Sequence, residues 1–413
     1  MTSICRLIVV LVLITGCAKS PDILTLPSPH SQLSGAALAP NLSSDPFGRP
    51  LLSWIQTQAD QATLYYATWD GTAWAEPQAV ASGSDWFVNW ADFPSVRAFE
   101  NGLWAAHWLV KSADATYAYD VHVALSFDSG DTWTESVVPH NDGTPTEHGF
   151  VRLYPVAEAV GVLWLDGRQT VGQTSHDSHD LHEADDVGKP ASGMTLRSAV
   201  IGRDGIVRER MLVDDLVCDC CQTDAAVSSA GIVAVYRDRS PTEQRDIYAS
   251  RMLNSNWSQP QPVASDDWTI NGCPVNGPSI VADQDRVTVA WFTAAGGRPR
   301  VSVGQSMDAG QTFDAPIRLD EGGALGRVAT VYDHAGQAWV AWLQESEAGA
   351  GQIVIRKASA AEASPIIPIA ETTPQRQSGF PQLLRWREGL MLAFTDAQQA
   401  ESAIQVRYFE ISQ

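Results

Sequence analysis

Cys218, Cys220 and Cys221 place three thiols within four positions, and a fourth stands at Cys273. Such a set has two uses. Cys220 or Cys221 can join Cys273 in a disulfide, which over a loop of about 50 residues stabilises a fold by a few kcal/mol. Alternatively, the thiolates of the run together with Cys273 can hold a soft ion, Cu(I) or Zn(II). The Cys-x-Cys-Cys run departs from the paired Cys-x-x-Cys spacing of common zinc sites, which favours copper within that second use. A further metal candidate is His176, His179 and His182, with carboxylates between them. On a helix this spacing puts all three on one face, whereas off a helix they form a solvated lid.

The carboxylates and guanidinium groups suggest a different chemistry. Glycoside hydrolysis needs an acid and a nucleophile or base on opposite sides of the scissile bond, and Asp92, Asp166, Asp238 and Glu147 are candidates for those roles. Each has a plainer use in an ion pair, Asp166 with Arg168, Asp238 with Arg237 or Arg239, and likewise Asp246 with Arg245. Arg168, Arg237, Arg239 and Arg327 can grip an anionic ligand bidentately, with His148 and Trp90 beside them. Trp86, Trp90 and Trp268 can stack on a sugar ring or simply pack between sheets.

Composition narrows the choice of ligand. With 48 acidic against 27 basic residues the chain carries a formal charge of −21, a field that repels polyanions and excludes nucleic acid. The 15 Trp and 31 Gly fit an all-β protein with many turns. The first residues, MTSICRLIVVLVLITGC, form an apolar run too short to span a bilayer as a helix, as in a signal peptide. Its end, Leu13-Ile14-Thr15-Gly16-Cys17, resembles a bacterial lipobox. That resemblance implies lipidation at Cys17, and the absence of Asp from Ala18-Lys19 implies an outer-membrane lipoprotein facing the periplasm or the cell surface. Residues 1–16 are then the signal and 17–34 a lipidated tether. In that oxidising compartment four remaining cysteines favour disulfides.

A phrase of alternating apolar residues ending in an aromatic recurs seven times, at 49–57, 102–110, 161–169, 231–239, 286–294, 337–345 and 389–397. An apolar strand precedes most copies and further strands follow. Four short antiparallel strands repeating in this way are the mark of a β-propeller blade. The expected fold is therefore an all-β propeller over 35–413, with seven blades favoured and six as the alternative. The last unit lacks a fourth strand, and Asp22-Ile23-Leu24-Thr25-Leu26 can supply it, closing the ring and removing an exposed edge.

Two octads identify a kinship. Ser126, Asp128, Gly130 and Trp133 recur in the same spacing as Ser306, Asp308, Gly310 and Phe313. They match the Asp-box pattern, and the chain resembles the sialidase-like propellers, also called BNR-repeat proteins. The resemblance implies recognition, with hydrolysis as a further step, of a glycan or other small anionic ligand, by an exo-sialidase-like glycoside hydrolase if the protein is an enzyme. The sialidase Phe-Arg-Ile-Pro motif is absent from the first unit and the seven units differ from the six blades of sialidases. Neither an arginine triad nor the nucleophilic Tyr and its Glu is therefore carried onto any position. Rival readings are a protein-binding scaffold and a copper-handling protein using the four cysteines. Threading the candidates onto the repeat puts nearly all of them in loops at one mouth of the channel.

Overall fold

The structure is a computed structural model, and the description covers residues 21–172, 193–359, 364–398 and 402–411. The signal segment, Cys17 and the His176, His179 and His182 loop lie outside the described residues. Seven antiparallel sheets are wound about one axis, and consecutive sheets touch in chain order, with the seventh against the first; first strand meets first strand throughout except between the second and third sheets, where Trp104–Lys111 and Tyr119–Ser126 meet His148–Val156.

Each of the seven phrases is the second strand of a blade. Pro50–Gln58, Trp104–Lys111, Ala159–Asp166, Gly231–Arg237, Arg286–Thr293, Ala338–Glu345 and Gly389–Asp396 occupy that place. Buried on both faces, these strands read as nearly continuous apolar runs with an aromatic between neighbouring blades. Trp54, Trp164, Trp291 and Trp342 are fully enclosed, and truncating one to Ala would cost about 3–5 kcal/mol. The core is divided accordingly into seven apolar clusters. One joins Trp54 of blade one to Met391 of blade seven, and another joins Val233 of blade four to Trp291 of blade five. The ring closes as the periodicity predicts: Ile23–Leu26 pairs antiparallel with Ala403–Glu410, so the folded body starts ahead of residue 35.

The two octads adopt the same turn. Ser126 Oγ donates to Asp128 at 2.7 Å and accepts the Gly130 N–H, while Asp128 accepts both the N–H and the hydroxyl of Thr132. Ser306, Asp308, Gly310 and Thr312 repeat that set. The residue before each Gly also has positive φ, Ser129 at 64° and Ala309 at 58°. Each turn leans on the preceding blade: Trp133 meets Tyr66 edge-on, and the Tyr66 hydroxyl donates to the Gly130 carbonyl.

Candidate functional site

The seven inner strands leave a central cavity of about 160 Å³. Four of them reach it through a bulge. Ala39, Phe150, Arg327 and Phe380 have φ of 56°, 54°, 56° and 51°, and the ladder slips at each. A left-handed non-glycine residue costs about 1–3 kcal/mol and is retained where the surroundings dictate it, and a bulge re-aims a side chain. Gly326 shows the constraint. At φ +87° its Cβ would lie 2.2 Å from Asn276 Oδ1, the same oxygen that accepts the Arg327 N–H at 2.7 Å.

The bulges gather a cationic, aromatic wall. Arg327 Nη1 is buried with no hydrogen-bond partner among the described residues. Its guanidinium sits over the Phe380 ring at 5.3 Å, Phe380 meets Phe93 edge-on at 4.9 Å, and Trp90 lies 6.0 Å from Phe380. Arg376 covers Trp90 at 5.5 Å and donates to the Cys273 carbonyl. Burial, with the Arg376 charge added, lowers the Arg327 guanidinium to about 10. Arg97, which lines the cavity together with Arg327 and Arg152, falls to about 9 through burial and the Arg152 charge. Arg152 itself pairs with Asp224 at 2.9 Å. No ion pair involves Arg97, Arg327 or Arg376 among the described residues.

Asp92 lines the same cavity. Its Oδ2 accepts the Phe150 N–H at 2.8 Å and a longer contact from the Tyr119 hydroxyl, while Oδ1 is buried without a partner among the described residues. Burial raises this carboxyl to about 7. The Tyr119 hydroxyl donates to Glu147 at 2.6 Å, and burial raises Glu147 to about 8. Tyr119 is 1% exposed and stacked flat on Phe87, so its oxygen is not presented to a ligand.

A second cluster joins blades two and three. His140 and His148 stack with centroids 3.8 Å apart and planes 4° from parallel. Asp142 contacts both rings, and Asp120 lies 3.6–3.7 Å away from each. Asp166 is clamped by Arg168 through two hydrogen bonds of 2.6 and 2.7 Å. Three or more of these side chains lie close enough to share an ion, but the geometry argues for a proton. His148 Nδ1 faces the carbonyls of Tyr119 and Thr146, and Nε2 faces Asp142. A ring between acceptors on both nitrogens is an imidazolium and has no lone pair to give. Burial alone would lower the His148 pKa, yet Asp142, Asp166 and Asp120 together raise it. His140 is lowered to about 4 by burial and by the charge on His148.

The remaining candidates are structural. Arg237, 1% exposed, spends its donors on the carbonyls of Asn276, Arg245 and Phe292 and lies under the face of Trp268. It staples blades four and five with four of its five N–H donors, and at 1% exposure it is not presented to a ligand. Arg239 is held by Asp219 and Glu243. Asp166 pairs with Arg168 as expected, but Arg245 pairs with Glu243, not Asp246, because Asp246 accepts backbone N–H groups of Asp267 and Trp268. Asp238 makes no ion pair with Arg237 or Arg239 among the described residues, since both are committed elsewhere. Burial and nearby Asp214 raise it to about 7. Trp86 stacks on Trp108 and Trp268 is buried, so of these three tryptophans Trp90 is the one at the wall, with Phe380 beside it. Cys220 is bonded to Cys273, and Cys218 and Cys221 are free and buried. In this form two of the four sulfurs are not thiolates. The candidate residues fall into three groups: Asp92 and Arg327 on the central cavity, Asp166 with Arg168 and the histidine pair, and Arg239 with Asp219 and Glu243. Sequence reading missed Arg97, Arg376 and Phe380. The signal for the wall was the repeated Gly-Phe at 149–150 and 379–380 and Gly-Arg at 326–327, each opening an inner strand.

No family model matches the chain, and no curated protein matches it. Solved structures do. The lectin BP39L from Burkholderia pseudomallei superposes with a TM-score of 0.58 at 8% identity, over 92% of this chain and 98% of that one. A protein of unknown function from Dyadobacter fermentans gives 0.50 at 13% identity, over 91% and 95%. Hadza microbial sialidase Hz136 gives 0.46 at 14% identity, over 80% and 67%. Likeness at such identities shows the propeller fold.

Proposed function

We propose that the channel mouth binds an anionic sugar through a carboxylate or sulfate seated on Arg327 beside Arg376, with Arg97 adding to the cationic lining of the cavity. The observation that carries this reading is the buried Arg327 Nη1, which has no acceptor among the described residues. Leaving a buried donor of a charged group unmet costs several kcal/mol, and an anion arriving from solvent would meet it bidentately. Unpaired arginines on one wall of a chain with charge −21 also favour an anion there over the general field. Trp90, Phe93 and Phe380 offer an apolar floor for the C–H face of a ring. The cavity of about 160 Å³ takes a charged group, with the rest of the glycan lying across the mouth.

The reading is recognition without hydrolysis. Asp166 is wholly buried and clamped, Asp238 belongs to another group, and Asp92 faces the Phe150 N–H and Tyr119, so none of them forms a pair across a scissile bond. One of the similar structures is a lectin, which accords with a binding role. The segment ending at Cys17 fits a chain tethered to the outer membrane by lipid, with the mouth open to polysaccharide. Screening the wild-type protein on carboxylated, sulfated and neutral glycans tests the proposal. Binding confined to acidic glycans is expected; equal binding of neutral ones, or release of a hydrolysis product, would overturn it.

A further inference from the structure

The loop between Val207–Val217 and Asp224–Ser228 carries three sulfur atoms, of Cys218, Cys220 and Cys221, all within 4.8 Å of one another. Their exposure is graded. Cys218 and Cys221 are 1% and 2% exposed, Cys220 is partly exposed, and its partner Cys273 faces solvent. A disulfide therefore sits at the surface with a buried dithiol directly behind it. Buried thiols are ordinarily inert, but these two have polar company. Arg245 Nη1 points at Cys218 Sγ from 3.5 Å. Burial would raise the Cys221 thiol, but a hydrogen bond from Cys218, the Arg237 charge and the Asn276 N–H bring it down to about 7. Cys218 is pushed well above its ordinary value by burial and by Cys221. The reduced pair is thus a thiol donating to a thiolate.

We propose that this cluster is a thiol–disulfide exchange site, in which Cys218 displaces the exposed Cys273 from Cys220 and unfastens the loop entering blade five. The step balances internally. The Cys218 proton passes to the Cys221 thiolate, the Cys218–Cys220 S–S bond forms, and the Cys220–Cys273 bond breaks with its electron pair leaving on Cys273. The Cys273 thiolate then takes a proton from water, and no electrons are gained or lost overall. Cys221 is the base and not the nucleophile, because a bond between adjacent residues closes a strained eight-membered ring, whereas Cys218 and Cys220 are separated by the turn at Asp219. Exchange of this kind needs thiolate character and access to the attacked sulfur: Arg245 Nη1, 3.5 Å from Cys218 Sγ, favours a Cys218 thiolate as its proton moves to Cys221, and Cys220 is partly exposed. Exchange also reaches the cationic wall, since the Cys273 carbonyl holds Arg376 at 2.9 Å.

The test uses protein purified without reductant and held native in excess iodoacetamide at pH 8, with timed quenching and peptide mapping. The expected result is progressive alkylation of Cys273 together with a Cys218–Cys220 cross-linked peptide. Cys218→Ser should slow alkylation of Cys273 at least about tenfold while Cys220–Cys273 stays bonded. Equal labelling of Cys273 in that variant, no label on Cys273, or a Cys218–Cys221 disulfide in the starting material would overturn the proposal. If Cys218→Ser does not fold, the wild-type map decides alone, by the presence or absence of the Cys218–Cys220 peptide.

Discussion

Two buried titrating groups at the mouth have opposite characters. Asp92 is raised to about 7 by burial, so the fold prefers its neutral form. Its contribution is fully present below the unfolded carboxylate pKa near 4 and is lost as pH rises toward 7. Asp92→Asn keeps an acceptor for the Phe150 N–H and removes the charge. It should raise stability by about 2 kcal/mol at pH 8 and by much less at pH 5, measured by chemical unfolding at both pH values. No gain at pH 8 would mean that Asp92 is ionised without cost. His148 is also raised, but because Asp142, Asp166 and Asp120 hold the imidazolium. That stabilisation is present below its unfolded pKa of about 6.5 and fades as pH climbs through the higher folded value. His148→Gln should cost about 2 kcal/mol at pH 6 and little at pH 9, and an equal loss at both would exclude a charged ring. At this scale the sequence was half legible. Asp92, His148 and Arg327 stood out as polar residues in loops, but which arginines were already spent depended on carbonyls such as those of Asn276 and Phe292, which no spacing reveals.

At the scale of elements, the inner strands trade regularity for aim. Four bulges put Ala39, Phe150, Arg327 and Phe380 in the left-handed region, and the glycines before three of them make room. Gly326→Ala would drive Cβ into Asn276 and Phe292. A loss of about 2–3 kcal/mol is expected, measured as a shift in the denaturant midpoint, with weaker ligand binding because Asn276 also sets the Arg327 backbone. Unchanged stability would show that the bulge relaxes freely. The second strands were legible from alternation and aromatic endings, because burial between two blades imposes one pattern seven times. The bulges were not, since each falls within the first four residues of its strand and leaves too few residues before it for the phase shift to show in the alternation. The octads were legible because Ser, Asp, Gly and Thr act through local hydrogen bonds within the turn.

At the scale of the whole molecule, the ring closes on a four-residue strand. Deleting residues 22–26 should leave Ala403–Glu410 as an open edge and strip Trp74 of structure near Pro27, whose carbonyl accepts the indole N–H. A lower Tm and concentration-dependent association are expected by scanning calorimetry and light scattering. A truncated protein that melts like the intact one would place the closure elsewhere. The ring also gives the account its central claim, because winding seven blades about one axis brings Arg327 and Arg376, with Phe380 and Trp90, from distant segments to one wall, and Arg97 to the same cavity. Calorimetric titration of wild type, Arg327→Gln and Arg376→Gln with a single acidic glycan, and with its neutral counterpart, tests that claim most directly. The account predicts saturable binding of the acidic glycan alone, weakened by about 2 kcal/mol or more in Arg327→Gln and by less in Arg376→Gln. Undiminished affinity in Arg327→Gln would contradict it.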